Sequence, residues 1–294
     1  MDKNNKLKLN AKDGGIAFSV MIVLYVLISF VGQVVLSAVC ESGSVVQISI
    51  SALFSIVAII LTCSAILLQK NAPIKETLSM EKFKCFSLLP AIMLAFGMFL
   101  GFGFINEAFA GIFKKWGLNV SGLVLPLENI GHFILFTIIL AVFPAVVEEL
   151  FFRGLMLSSL SGVKTVYAVL TVSICFALYH CSIAQFIYQL IYGAGLTILA
   201  IYAKSVFPCI IVHFINNFTV ICCEYFKLSV NLLSPYIILI GIALLVGFSI
   251  IVSIKLKREP NKVNEKAMLK FWVPFGVFGA AVCLLIIISN LLVV

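Results

Sequence analysis

Nine stretches of this 294-residue chain are apolar for long enough to cross a bilayer, and no other feature limits the fold as strongly. A run of about 20 apolar residues makes a helix that spans the hydrocarbon core, and in lipid a helix satisfies all its backbone groups internally. The runs fall near residues 16–39, 45–69, 86–112, 129–157, 164–181, 183–203, 206–226, 234–254 and 271–293, with the fifth and sixth barely separated. At 63% hydrophobic and 11% charged residues, a soluble globular domain is excluded. The predicted fold class is all-α, a polytopic transmembrane helix bundle of about 8–9 spans.

Lysine and arginine stay preferentially on the cytoplasmic side of a membrane. With the N-terminus inside, the inner segments collect Lys3, Lys6, Lys8 and Lys12, then Lys70, Lys75, Lys82 and Lys84, then Arg153 and Lys164, then Lys204, then Lys255, Lys257, Arg258, Lys262, Lys266 and Lys270. That is seventeen of the 20, and only Lys114, Lys115 and Lys227 fall outside. The expected protein is therefore an integral multi-pass protein of the cell membrane with a cytoplasmic N-terminus and nine spans. Its net charge of +8 faces the anionic inner leaflet, so the lipid bilayer accounts for it and nucleic acid is not needed. The first run, about 24 residues, exceeds a signal-peptide core and is read as an uncleaved span. Nine scattered cysteines, mostly within spans, give neither a disulfide framework nor a CxxC metal pair.

Against this background Val147-Glu148-Glu149-Leu150-Phe151-Phe152-Arg153 is anomalous. Two carboxylates and an arginine close an apolar run, where charge must be paired or used. On a helix Glu149 and Arg153 are four apart and share a face, whereas Glu148 points about 100° away. Glu149 and Arg153 can neutralise each other, and Glu148 is left for chemistry. Pro144, four residues before Glu148, removes a donor, frees a carbonyl and is expected to kink the fourth span.

Two more polar groups stand in apolar spans: His180, and His213 with Asn217 one turn later on the same face. A Glu–Arg pair near a membrane end is often structural, and a lone histidine in an apolar helix is often a packing residue. Their co-occurrence points to a site. A carboxylate, two imidazoles and a carboxamide are the parts of a hydrolase. Glu148 can act as general base on a water, His180 can hold that water, and His213 with Asn217 can donate to a developing oxyanion. A reversal centred on Lys164 sets Glu148 opposite His180 if Ser158 to Gly162 is a loop. The depths are less tidy: His213 lies about 10 Å into its span at 1.5 Å per residue, and Glu148 lies deeper. Either the seventh run begins earlier or the fourth is broken at Pro144.

The order Glu148-Glu149-x-x-x-Arg153, Phe176-x-x-x-His180, His213-x-x-x-Asn217 resembles the three-motif signature of the CAAX protease and bacteriocin-processing (CPBP) family of intramembrane proteases. The likeness covers about 70 residues, Pro144 to Asn217, including Gly193-x-Gly195 and Phe207-Pro208. It implies a four-helix catalytic core around a water-filled site, with Glu148 and His180 activating water, His213 and Asn217 forming the oxyanion hole, and Glu149, Arg153 and Phe176 in support. Relatives are often labelled metalloproteases. This sequence lacks HExxH, so no metal is assigned. If zinc is the cofactor, its ligands would be His180, His213 and Glu148. The metal-free glutamate mechanism is the expectation. The implied substrate is a peptide or protein, membrane-anchored or prenylated as in CaaX sequences.

The expected organisation is a cytoplasmic tail at 1–15, N-terminal membrane spans at 16–128, the CPBP-like catalytic core at 129–226 and C-terminal membrane spans at 227–294. Two other readings stay open: a non-catalytic membrane scaffold or bacteriocin-immunity-type protein, and a transporter using the same polar residues. A transporter predicts polar groups strung through many helices, and spans one, eight and nine are nearly bare.

Overall fold

A computed structural model describes residues 9–118, 124–228, 230–255 and 265–292. Lys3, Lys6 and Lys8 of the tail, Asn119, Ser121 and Gly122 of the outer loop, and Lys257, Arg258 and Lys262 of the basic linker lie outside them. The described residues are helical with no strand. Eight helices are long and apolar enough to span: α1 (Ala11–Val39), α2 (Val45–Gln69), α3 (Cys85–Lys115), α4 (Ile130–Ser159), α6 (Ile183–Ala203), α7 (Phe207–Tyr225), α8 (Pro235–Ile254) and α9 (Lys266–Leu291). Between α4 and α6 lies α5 (Thr165–Tyr179), apolar but shorter. Its 15 residues rise about 22 Å, short of the roughly 30 Å hydrocarbon core. The ninth expected span is this short helix, which ends where His180 and Cys181 begin a turn into α6.

Local chemistry fixes several boundaries. Residues 11–15, expected in the tail, belong to α1. Asn10 Oδ1 accepts from the Lys12 and Asp13 amides at 3.0 and 3.3 Å, and Asp13 returns a bond to the Asn10 amide at 3.0 Å. This reciprocal cap satisfies orphan donors at the helix start, and the buried Asp13 also pairs with Lys70 at 2.8 Å. At the end of α4, Ser158 and Ser159 remain helical, so the reversal into α5 is Leu160 to Lys164 rather than Ser158 to Gly162. α7 begins at Phe207, no earlier than expected, and α4 is bulged rather than broken around Pro144. The π-helical turns Thr137–Val142 and Leu150–Met156 flank the helical stretch Phe143–Glu149.

The ends that charge sorting assigns to one side share one face. Lys70 holds Asp13, Ser205 Oγ donates to the Glu81 carbonyl at 2.6 Å, and the Val206 amide donates to the Ser79 carbonyl at 2.9 Å. The fourth helix packs there too, since a Cβ on Gly154 would lie 2.9 Å from Leu78 Cα. At the other end the Leu125 amide donates to Glu224 at 3.0 Å, and His132 Nδ1 donates to the Pro126 carbonyl at 2.9 Å. Glu107 is exposed near that end, in keeping with an interfacial residue. Outside the core, α3 and α8 approach closely at Gly101 and Gly241, where a Cβ on Gly101 would lie 3.1 Å from the Gly241 carbonyl carbon. Small residues let backbones meet where lipid supplies no hydrophobic drive between helices.

Candidate active site

Helices α4 to α7 bring the predicted polar groups to one buried place. Glu148 is 6% exposed, Glu149 and Arg153 are 0% and His213 is 3%, so their charges must be compensated by one another. Arg153 Nη1 donates to Glu149 Oε1 at 2.7 Å, as the four-residue spacing predicts. Its Nη2 donates to the Gly193 carbonyl of α6 at 3.2 Å. The guanidinium carbon sits 4.3 Å from the centre of the Phe176 ring, a cation–π contact that desolvation strengthens. Gly193 makes this approach possible, because a Cβ there would lie 3.2 Å from Phe176 Cδ1 and 3.5 Å from Arg153 Nη2.

Glu149 does more than neutralise Arg153. Its Oε1 also accepts from His213 Nδ1 at 2.8 Å, across from α4 to α7. That bond fixes the ring and leaves Nε2 directed to Glu148, 3.9 Å from Oε2. The same contact sets His213 level with the acidic pair, although α4 runs to Ser159, further past Glu149 than α7 extends before His213. Glu148 Oε1 accepts from the Tyr179 hydroxyl at 3.2 Å, whereas Glu148 Oε2 and Glu149 Oε2 are buried with no hydrogen-bond partner among the described residues. Buried polar atoms without a protein partner are uncommon, and each calls for an explanation.

His180 follows the last residue of α5. Its Nδ1 donates to the Phe176 carbonyl at 2.8 Å, so in a neutral ring Nε2 carries the lone pair. Phe176 separates the two imidazoles, with ring centres 4.7 Å from His180 and 6.0 Å from His213. The structure therefore gathers Glu148, Glu149, Arg153, Phe176, His180 and His213. Asn217 lies one turn further along α7. One N–H of its amide donates to the Leu140 carbonyl at 3.1 Å, and its Oδ1 accepts from Asn216 at 3.2 Å. Leu140 is four residues before Pro144, so this carbonyl is the one the proline deprives of an α-helical donor.

Three contacts were not read from the sequence. Tyr179 reaches Glu148, Tyr188 donates to Asn216 Oδ1 at 2.7 Å, and Tyr192 packs edge-on against His213 at 6.0 Å. Their signals were present: Tyr179 adjoins His180, and Tyr188 and Tyr192 are four apart on α6. Among the described residues no group of three or more His, Cys, Asp or Glu side chains is disposed to hold a metal ion. Glu148, His180 and His213, the trio named for zinc, do not form one.

Residues 130–219 match the family model described as Rce1-like: Type II CAAX prenyl endopeptidase Rce1-like. The matched segment contains all three motifs, in agreement with the resemblance to CPBP proteases. No curated protein and no solved structure matches the chain.

Proposed function

On the footing that residues 130–219 belong to the CAAX protease family, we propose that this protein is an intramembrane endopeptidase that cleaves membrane-associated peptide or protein substrates, prenylated CaaX sequences among them. The observation that carries the reading is the buried Glu148 Oε2, without a hydrogen-bond partner among the described residues and 3.9 Å from the Nε2 of an imidazole whose other nitrogen is held by Glu149. A water held by Glu148 and His180 attacks the scissile carbonyl as Glu148 takes its proton. The carbonyl oxygen becomes an oxyanion, bonded by His213 and by the remaining N–H of Asn217. Collapse of that intermediate breaks the C–N bond, and the proton on Glu148 passes to the departing amine. Glu149, shared between Arg153 and His213, holds the His213 ring in place for that bond. In this reading the N-terminus is cytoplasmic, in the cell membrane, and the substrate reaches the site from the membrane or the cytosol.

The test uses purified protein in lipid discs and a panel of membrane-anchored peptides, prenylated CaaX peptides included. Glu148→Gln is expected to lower kcat by about 10²- to 10⁴-fold, the usual contribution of general acid–base catalysis. His180→Ala and His213→Ala are expected to follow. Activity that survives a chelator supports the glutamate mechanism, and activity lost to the chelator and restored by zinc would replace it. Equal cleavage by wild type and Glu148→Gln removes the hydrolytic assignment.

A further inference from the structure

Tyr179 is absent from the three-motif pattern, yet it alone donates a side-chain hydrogen bond to Glu148 among the described hydrogen bonds. A buried phenol needs an acceptor. The hydroxyl crosses from α5 to α4 and takes Glu148 Oε1 at 3.2 Å. The ring is held for that reach, with centres 5.5 Å from Phe152 and 5.3 Å from His180, and both Tyr179 and Glu148 are buried. The carboxylate is thereby made unequal. Oε1 is bonded, and Oε2 has no hydrogen-bond partner among the described residues and faces His213 Nε2 at 3.9 Å.

We propose that Tyr179 is a positioning residue that fixes the Glu148 carboxylate and so determines that Oε2 is the oxygen which takes the proton from water. This rests on the hydrolytic reading above. Tyr179 touches neither water nor peptide in this role. It stops the carboxylate from rotating about its Cγ–Cδ bond, a freedom that would otherwise let each oxygen spend part of its time turned from the reacting water. Because Tyr179 adjoins His180 on the chain, the same turn of backbone places both the orienting hydroxyl and the imidazole that shares the water.

Two readouts on Tyr179→Phe test this, and one needs no substrate. The ring contacts survive the substitution, so the fold is expected to persist. In the first, infrared difference spectra identify the Glu148 carboxyl or carboxylate band as the one missing from Glu148→Gln, and Tyr179→Phe is expected to shift it. In the second, peptide cleavage is expected to lose about 10- to 100-fold in kcat, the worth of a hydrogen bond to a charged group, with KM unchanged. A band that does not move overturns the proposal whatever the activity. A band that moves with kcat unchanged overturns it as well. If wild type cleaves no peptide while the band shifts, the hydrolytic reading fails and the orientation of Glu148 by Tyr179 stands.

Discussion

Between α3 and α8 the backbones meet glycine to glycine, Gly101 against Gly241, with Leu245 filling the flank beside Gly97. Between α4, α6 and α7 the contact runs instead through Arg153, Glu149, the Gly193 carbonyl and His213. Both junctions are tight, but they respond to different insults. The first is held by shape, since lipid gives two apolar helices little reason to prefer each other beyond dispersion. The second is held by charges that are costly alone and tolerable together. A substitution that adds volume should therefore hurt the first, and one that removes a partner should hurt the second.

The largest expected effect is at Arg153. Arg153→Met strips the buried Glu149 of its guanidinium partner, and should cost about 3–5 kcal/mol in reversible unfolding from mixed micelles. Adding Glu149→Gln to the same chain should recover part of that loss, because the orphaned charge is gone. A single substitution no costlier than one in the glycine seam would erase the distinction. Next comes the seam: Gly241→Leu forces the α3 and α8 backbones apart, with an expected cost of about 1–3 kcal/mol and unchanged turnover per folded molecule. Reduced turnover in proportion to that in core variants would show that the two junctions are coupled. The smallest effect sharpens the comparison inside the core. Asn217→Ala should cost about 1 kcal/mol through the Leu140 carbonyl. Pro144→Ala, which gives that carbonyl an intrahelical donor, should soften the loss, with a coupling of about 0.5 kcal/mol or more in a double-mutant cycle. Strict additivity would show that the amide and the proline act independently.

Much of this was legible from spacing, because helix periodicity converts sequence distance into shared faces. The Glu149–Arg153 pair and the reversal that sets α4 against the end of α5 follow from it, whereas the four-helix core came from the resemblance of the motifs to CPBP proteases. What spacing does not carry is contact between helices distant in sequence. Glu149 and His213 are 64 residues apart, and nothing local announces that one carboxylate oxygen serves both Arg153 and His213. The role of Tyr179 was hidden for the same reason, although it stands next to a histidine already singled out. The π turns of α4 leave no periodic trace beyond Pro144, since the run is apolar on every side. At the amino end a local signal was present and outweighed by composition. Asn10 and Asp13 spell a helix cap, and residues 11–15 were expected in a tail because the neighbouring residues are polar.

The bonds from the Gly193 carbonyl to Arg153 at 3.2 Å, from Arg153 to Glu149 at 2.7 Å and from Glu149 to His213 at 2.8 Å form an unbroken linkage across three helices. A carbonyl on a helix backbone cannot move without its helix. Sliding or rolling α6 therefore pulls on the guanidinium, and the guanidinium pulls on the oxygen that sets the tilt of the imidazole on α7. The angle of His213 is in this sense a gauge of where α6 stands, read out beside the Glu148 carboxylate through groups that never leave the interior.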